Sequence, residues 1–446
     1  MQNIITIFAP EINLSQFGNV EIDNNKNRQK NNYHKTIGIY APAVDINGNL
    51  FSHENVVDFV LTVGGFLPSI NITLSDPDKK LGSYSSLTDS ILKLFVRSKN
   101  PDFKPIRNDY KITSITQSQD KLNISGVLYV PELHKTKIIS FPNKTSLDTL
   151  QDIAKMCQLG FACNETVTND AMTRICPNTT FADFLLSDVI PSIYKDDNSF
   201  FYVFIDQYYY LNLVEVNQMI DVDVTYDKIT IESILNIEEI QNSEPENLDV
   251  EELYLHNIKE KGHKSTFINT FDFENNIGSK MYNGGDKLYL QFWDKGNLQM
   301  QECFLTPLQT QTSDKYVDST LESQFQNSVI IQEQNPNVHQ NYLYAYCNNY
   351  INHDNLKSFK LICTLRRFVP GITCWMKLPV VIQQRDVLKF MNEQSDGNDQ
   401  DIVIDQQISG NYITTQIDYE YRLGGMISSR VYLNKRDFKT QSYTNN

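Results

Sequence analysis

The stretch that decides the fold of this chain is Thr145–Leu213, which reads TSLDTLQDIAKMCQLGFACNETVTNDAMTRICPNTTFADFLLSDVIPSIYKDDNSFFYVFIDQYYYLNL. Thr145 and Asp148 have the spacing of a helix start, where a hydroxyl and an acidic side chain serve free backbone N–H groups. The apolar residues that follow fall on one helical face. They are Leu147, Leu150, Ile153, Ala154 and Cys157. Gly160 stands where a left-handed cap is expected, so the pattern predicts a first short amphipathic helix.

A second helix and two aromatic strands follow in the same stretch. Thr180 and Asp183 repeat the start signal after a polar turn region, and Pro191 is expected to end or kink the helix. Its apolar stripe comprises Phe181, Phe184, Leu185 and Val189. The runs Phe200–Ile205 and Tyr208–Leu213 are too apolar to face water, and they predict two strands covered on both faces.

Alternation of apolar and polar residues predicts β-strands on both sides of this stretch. The N-terminal sets are Val57, Phe59, Leu61 and Val63; Ile70, Ile72 and Leu74; Leu92, Leu94 and Val96; and Leu122, Ile124, Leu128 and Val130. The C-terminal sets are Phe359, Leu361, Cys363 and Leu365; Ile413, Thr415, Ile417 and Tyr419; and Ile427, Val431 and Leu433. Short strands at this spacing are typical of a barrel or sandwich. The predicted fold class is mainly β with an α+β middle, in which two β-barrel-like modules flank a small two-helix and mixed region.

Four segments are expected along the 446 residues, because a chain of this length exceeds one core. They are 1–140, an N-terminal β-barrel module; 141–215, two helices plus the aromatic strand pair; 216–300, a mixed α/β segment with an acidic loop; and 301–446, a C-terminal β-barrel module. Loops or hairpin turns are predicted at Asn24–Asn32, Glu232–Glu252, Asn283–Gly285, Asp294–Asn297 and Met391–Asp401.

Composition excludes several classes of protein. Hydrophobic residues make up 40% and aromatic residues 11%, which is ample for packed cores. The formal net charge of −15 argues against a protein that grips nucleic acid, but it does not exclude one that nucleic acid slides past, because a repelling wall prevents sticking. No apolar run approaches the roughly 20 residues that cross a bilayer. The start MQNIITIFAPEINLS lacks the features of a signal peptide, so we expect synthesis in a cytoplasm without export.

The cysteines are predicted to be free, buried thiols, because they are odd in number, irregularly spaced and form no CxxC pair. They are Cys157, Cys163, Cys176, Cys303, Cys347, Cys363 and Cys374. The Asn-x-Ser/Thr sequons are expected to be coincidental in a chain so rich in asparagine.

Motifs for catalysis or metal binding were sought among the remaining residues. His256 and His263 are seven residues apart without an HExxH or HxH motif. Asp396–Asp401 has the composition of a calcium loop, but its glycine is at the wrong offset and Gln407 stands where a bidentate Glu belongs. Nucleophile, phosphate-loop and dinucleotide motifs are absent from the sequence. We therefore expect no catalytic, cofactor-binding or metal-binding residues, and no cofactor.

A glycosidase would need only two carboxylates, so this class was weighed separately. A sugar cleft usually offers exposed tryptophan platforms, and the sequence contains only Trp293 and Trp375. Trp375 lies in the mainly apolar run Gly371–Met376, where we expect it to pack inside or at an interface.

The stretch from Thr145 to Leu185, followed by SFFYVFIDQYYYLNLVEVN, resembles the middle of baseplate hub proteins from contractile-tailed bacteriophages of the T-even type. Further patches that resemble this family are Phe66–Asp76, Phe95–Ile115, Tyr254–Gly278 and Ile408–Phe438. Together these patches follow the family in order over most of the chain. They consist of strands, turns and packing residues, and none of them is a catalytic signature.

The resemblance implies a structural and non-enzymatic hub subunit in the virion. Such a subunit forms a homotrimeric ring that joins the tail tube to the central spike, nucleates the baseplate and lets DNA pass without specific binding. Expected partners are its own copies, the spike, the tube and other baseplate proteins; spike proteins of type VI secretion systems are related. Alternatives are a tail-associated protein that binds carbohydrate or a receptor, a hub with cell-wall hydrolase activity, or the hub of a related injection system.

Overall fold

The computed structural model describes residues 4–14, 39–51, 54–77, 81, 89–98, 104–220, 255–256, 268–275, 288–294, 299–305, 329–334, 338–356, 359–365, 372–383, 405, 408–423 and 426–435. Within these residues strands predominate and helices are few. The mainly β fold class predicted from the sequence is therefore confirmed.

The first strands precede the helices. They are β1 (Ile5–Phe8), β2 (Ile39–Ile46), β3 (Asn49–Phe51), β4 (Val56–Val63), β5 (Ser69–Ser75), β6 (Ile91–Ser98), β7 (Ile106–Ser118) and β8 (Lys121–Leu128). The middle elements are a 3₁₀ helix (Pro131–His134), β9 (Thr136–Lys144), α1 (Ser146–Met156), β10 (Gly160–Cys163), β11 (Met172–Thr180), α2 (Phe181–Phe184), a π-helical turn (Leu185–Val189), β12 (Phe201–Ile205), β13 (Tyr210–Glu215) and α3 (Val216–Ile220).

The later elements are again mostly strands. They are β14 (Leu255–His256), β15 (Ile268–Asn275), β16 (Leu288–Asp294), β17 (Gln299–Leu305), β18 (Val329–Gln334), α4 (Tyr342–Leu356), β19 (Phe359–Leu365), β20 (Lys377–Val381), β21 (Gly410–Arg422) and β22 (Met426–Lys435). The antiparallel pair β16–β17 flanks the predicted hairpin turn at Asp294–Asn297, and β18 pairs with β16 in parallel. The other predicted loops, at Asn24–Asn32, Glu232–Glu252, Asn283–Gly285 and Met391–Asp401, lie outside the described residues.

One large sheet contains strands from both ends of the chain. Its order is β15-β19-β22-β21-β4-β5-β8-β7-β6-β2-β3, and β20 and β14 branch from β21. The crossing point is the antiparallel pair β21–β4, in which Tyr419 lies opposite Leu61. β2 comes close to β4, so the N-terminal part of the sheet curls towards closure. The two flanking β regions predicted from the sequence are thus hydrogen-bonded to each other.

The predicted alternation is confirmed along most strands of this sheet. Successive residues alternate between buried and partly exposed positions along β19, and the apolar residues of β5 and β8 face the core. In β4 the prediction is wrong at one residue, since Val56 is buried in place of Val57. The cause is a register shift between Val56 and Asp58 in the pairing with β5, which reverses the faces locally.

A second sheet, of order β1-β10-β13-β12, forms the middle of the molecule. β10 and β13 are parallel, whereas β1 and β12 pair antiparallel to their neighbours. Every residue of β13 is buried, as are four of the five residues of β12. The prediction that the aromatic strands are covered on both faces is confirmed.

Both predicted helix starts are confirmed. The Thr145 hydroxyl accepts a hydrogen bond from the Asp148 backbone N–H at 3.1 Å, and that of Thr180 does the same for Asp183 at 3.1 Å. Each hydroxyl also lies within 3 Å of the paired carboxylate, so the Thr–Asp pairs fix both helix N-termini. The second helix is only one α-turn long before it widens into the π-helical turn, which ends before Pro191.

Three local predictions are wrong. Gly160 is not the helix cap: Gln158 takes the left-handed conformation, with a φ of 57°, and Gly160 begins β10 close to the Tyr210 ring. The polar region before Thr180 contains β11, because β9 supplies the partner strand that the local pattern cannot reveal. The second aromatic strand begins at Tyr210, since the Asp206 carboxylate accepts hydrogen bonds from two backbone N–H groups and holds a turn.

The four segment boundaries stay a prediction. β1 and β10, which pair, come from different predicted segments, as do β4 and β21.

Gly64 lets the turn between β4 and β5 approach β21. Its φ is +134°, and a Cβ there would lie 2.3 Å from the Thr415 carbonyl oxygen and 2.7 Å from the Gln416 Cα. We expect Gly64→Ala to lower the free energy of unfolding by about 3 kcal/mol, from overpacking together with backbone strain. Urea denaturation measures this loss. Gly48→Ala is the matched control, because Gly48 also has a positive φ but has open space around it. Equal losses in the two variants would contradict close approach as the cause.

Candidate functional site

The outer edge of β12 is the point at which separate parts of the chain meet. The Phe201 backbone N–H donates to the Asn349 Oδ1 at 3.0 Å, and the His353 Nε2–H donates to the Phe201 carbonyl oxygen at 2.7 Å. Further along, the Ile205 N–H donates to the Phe66 carbonyl oxygen at 2.8 Å. The edge is therefore covered by α4 and by the turn after β4, which protects a strand that would otherwise be open to pairing.

Tyr202 and Trp375 join this edge to the large sheet. The Tyr202 hydroxyl donates to the Gly64 carbonyl oxygen at 2.9 Å, and its ring centroid lies 4.1 Å from that of Trp375. Trp375 is fully buried, which confirms the prediction that it packs inside. It adopts a φ of 63° while its backbone N–H donates to the Thr414 carbonyl oxygen of β21. This contact explains why the residue is held in a conformation that is uncommon for a bulky side chain.

The turn between β12 and β13 contacts the large sheet from another side. The Asp109 backbone N–H donates to the Tyr209 hydroxyl at 2.9 Å, and the Asn108 side chain donates to the Gln207 carbonyl oxygen at 3.0 Å. Burial, with the Asp109 charge acting in the same direction, keeps the pKa of Tyr209 well above its usual range. The hydroxyl therefore remains protonated and serves as a structural hydrogen-bonding group.

A buried charge pair organises the helical part. Arg174 and Asp170 are both fully buried, with a shortest N–O separation of 3.8 Å. The guanidinium donates to the Lys144 carbonyl oxygen at 3.0 Å and to the Ser146 hydroxyl at 2.7 Å. Asp170 accepts the backbone N–H groups of Ser146 and Tyr194. The pair thus ties β9, the start of α1 and the segment after the π-helical turn together.

Glu215 is a buried carboxyl at the end of β13. It accepts backbone N–H groups from Phe200 at 3.3 Å, Asn217 at 3.1 Å and Gln218 at 2.6 Å. Burial is the largest influence on its pKa and raises it to about 7, although these hydrogen bonds oppose the shift. This group therefore changes charge near neutral pH, unlike an ordinary glutamate.

The ribbon β9–β11 carries apolar side chains on its outer face. Ile138 is 80% exposed and lies opposite Pro177, while Ile175 is 58% exposed and lies opposite Ser140. These four residues share one face of the ribbon, because side chains alternate along each strand. Exposed apolar residues at neighbouring positions are a feature of contact surfaces. This face was not predicted, because the local sequence pattern does not reveal β11.

Five cysteines lie in the described residues, and all five are free and buried: Cys157, Cys163, Cys176, Cys363 and Cys374. Burial raises the pKa of Cys157 to about 12 and that of Cys163 to about 11. The thiols of Cys363 and Cys374 are shifted upwards by the same cause. Protonated thiols are poor nucleophiles, so these four cysteines act as core residues.

Of the histidine pair noted in the sequence, His256 lies in β14, while His263, Gln407 and Asp396–Asp401 lie outside the described residues. Within the part of the chain that the structure describes, no three His, Cys, Asp or Glu side chains converge as metal ligands would. In that same part, no helix combines the length and apolar character needed to cross a bilayer. The expectation of no catalytic, cofactor or metal residues stays a prediction.

Sequence comparisons give no relatives: no protein-family model matches the chain, and no curated protein matches it. Several solved structures, however, match the fold of this chain. The 43 kDa tail protein of prophage MuSo2 from Shewanella oneidensis matches with a TM-score of 0.51, covering 89% of this chain and 97% of that chain at 8% identity. This chain has the fold of a prophage tail protein. The resemblance to phage tail proteins predicted from the sequence is confirmed at the level of the fold.

Further matches have lower TM-scores. The tail protein from Neisseria meningitidis MC58 has a TM-score of 0.49 at 11% identity, covering 89% of this chain and 97% of that chain. A component of the Escherichia coli type VI secretion system, described as similar to the phage T4 tail proteins gp27 and gp5, has a TM-score of 0.40 at 9% identity. It covers 89% of this chain and 78% of that chain.

We expect Arg174→Met to lower the free energy of unfolding by about 3–5 kcal/mol, because it leaves the Asp170 carboxylate buried without its partner. Chemical denaturation measures the loss. Lys111→Met is the control, since it breaks an ion pair with the exposed Asp89, and it should lower the free energy of unfolding far less than Arg174→Met does. Adding Asp170→Asn to Arg174→Met should restore part of the loss. If the double variant is no more stable than the single one, the unpaired charge is not the cause.

The raised pKa of Glu215 predicts a pH dependence of stability. The folded chain binds this proton more tightly than the unfolded chain, whose carboxyl titrates near 4.5. The free energy of unfolding should therefore fall as pH rises from about 4.5 to about 7, and this contribution should be constant above that range. Melting temperatures measured from pH 5 to 8 should fall less steeply in Glu215→Gln than in the unmodified chain. Parallel curves for the two proteins would contradict the assignment.

Proposed function

We propose that this chain is a structural subunit of the baseplate hub of a contractile tail. Three copies form a ring that joins the tail tube to the central spike and nucleates the baseplate, and DNA passes through the lumen. The single observation that carries the proposal is the fold shared with the MuSo2 tail protein over 89% of this chain. The sequence patches noted above, which lie in the order found in hub proteins, support it independently.

The charge and the surface of the subunit are compatible with this role. A formal charge of −15 per chain gives a passing polyanion no counterion-release attraction, so DNA would not adhere to the ring. Outward-facing Ile138 and Ile175 supply apolar surface that assembly contacts can cover. The partners in this proposal are other copies of the chain, the spike, the tube and neighbouring baseplate proteins, and the location is the virion.

The proposed role is non-enzymatic. The protonated Cys157 and Cys163 thiols and the buried Arg174–Asp170 pair serve packing, and they suit a scaffold better than a hydrolase. The second candidate is the hub of a related contractile injection system, which uses the same architecture. A tail-associated protein that binds carbohydrate or a receptor is the third, and it would function without closing into a ring.

Light scattering on the purified chain tests the proposal. A hub should assemble to about three times the chain mass of 51.5 kDa. The same measurement is repeated after co-expression with a candidate spike protein, because an obligate ring can require its partner to close. A particle that stays at the single-chain mass in both preparations and binds glycans would contradict the hub and favour the receptor-binding alternative. Activity on peptidoglycan would favour a hydrolase.

A further inference from the structure

Strand β1 is an outer strand of the middle sheet, where it pairs with β10. Ile5 lies opposite Cys163 in this antiparallel pair. Just after the strand, the Glu11 backbone N–H donates to the Gln158 carbonyl oxygen at 2.9 Å. Among the described residues, β10 is the only strand with which β1 pairs. The first described segment of the chain, residues 4–14, therefore lies beside β10 and the turn that leads into it.

The side chains of β1 contact the same part of the molecule. The Phe8 ring stacks on that of Phe161, with 6.0 Å between the ring centroids. The Lys155 ammonium lies over the Phe8 ring, 5.4 Å from its centroid. A Cβ on Gly160 would lie 2.8 Å from the Pro10 Cδ, so β10 begins directly beside this segment. These contacts would be identical whichever copy of the chain supplied β1.

Strand β10 requires a partner strand on this side. All four of its residues are buried, and its other edge pairs with β13. Without β1, buried backbone N–H and C=O groups along this edge would lose their partners, which is costly in a protein interior. The edge is therefore expected to be occupied in every copy, either by the β1 of the same copy or by that of another.

The outer face of β1 is apolar and exposed. Ile5 is 56% exposed and Ile7 is 44% exposed, whereas Thr6 and Phe8 are partly buried. Exposed apolar residues at neighbouring positions are a feature of contact surfaces. β1 therefore has the surface expected of a strand that lies where one copy of the chain meets another.

The connection between β1 and the large sheet is long enough to reach another copy. Residues 15–38 lead to β2, and these 24 residues can span up to about 80 Å when extended. A compact chain of 446 residues has a radius of gyration of about 22 Å, which corresponds to a diameter of about 60 Å. The length of the chain between the two strands therefore allows β1 to pair with β10 of an adjacent copy.

We propose that β1 is exchanged between copies, so that residues 4–14 of one copy pair with β10 of the next. The exchange keeps every contact of the single chain and adds a link between copies, which is why exchange of an identical element is a low-cost route to oligomers. Main-chain hydrogen bonds along β10 supply the affinity, and the partner is a second copy of this chain. The inference rests on the proposed ring, because it names a contact that holds the ring together.

A disulfide across the β1–β10 pair tests the exchange. Ile5→Cys places a thiol directly opposite Cys163, where the Cβ atoms of opposed residues are close enough for a bridge. After oxidation, denaturing gels without reductant should show chains joined at two and three times the chain mass of 51.5 kDa. Thr6→Cys with Ala162→Cys, the next opposed pair, should behave in the same way. Bridges confined within single chains, identified by peptide mass spectrometry, would overturn the inference, as would the absence of any bridge in both variants.

Co-expression of two different chains is the matched control. One chain carries Ile5→Cys together with Cys163→Ser, and the other is unmodified. Neither chain can form the bridge alone, so each should stay at the single-chain mass on the gel. Only the mixture should yield a two-chain species, because β1 of the first chain then lies on β10 of the second. A mixture without this species would overturn the inference.

Light scattering on the same preparations, with and without the candidate spike protein, distinguishes failure of this inference from failure of the proposed function. A particle of about three times the chain mass whose bridges lie within single chains would overturn the exchange and leave the hub proposal standing. A particle that stays at the single-chain mass in both preparations would contradict both.

Discussion

The structure depends on how the aromatic strand β12 is covered. A strand this apolar cannot face water on either side, and its outer backbone edge cannot be left unpaired in the interior. The protein meets both requirements with pieces from distant parts of the chain: Asn349 and His353 at Phe201, and Phe66 at Ile205. Each piece must therefore be in place before the strand is fully buried. This one requirement brings α4, the turn after β4 and the middle sheet together.

The large sheet imposes a second long-range requirement. The paired residues of β4 and β21 lie 354 to 364 positions apart in the sequence, yet the strands pair along most of the length of β4. Gly64 permits this pairing to continue into the turn, where the backbone approaches Thr415 too closely for any side chain. The first and last β regions thus form one continuous sheet, and the β4–β21 pair is where they join.

Local sequence signals were enough to predict the elements that depend only on residues close to each other in the chain. The Thr145–Asp148 and Thr180–Asp183 pairs act within one turn of helix, and the alternation along β19 reports a single wet face; both were predicted correctly. Predictions were wrong where a distant partner decides the outcome. β11 exists because β9 lies beside it, and Gly160 serves contact with Tyr210 instead of ending α1. Arg174 gave no signal at all, since only the folded chain brings Asp170, Ser146 and Lys144 around it.

The buried charged groups of the middle region hold backbone segments in place, and their arrangement does not resemble that of catalytic groups. A catalytic carboxyl or guanidinium must reach a substrate, whereas Arg174 and Asp170 are sealed from solvent and bond backbone groups and the hydroxyls of Ser146 and Ser192. Glu215 has a pKa near neutrality, which can accompany acid–base catalysis, but its oxygens are occupied by three backbone N–H groups. Its shifted pKa is therefore a consequence of burying an end of β13. The polar groups in this region define where each segment lies, and the apolar strands supply the free energy that keeps it there.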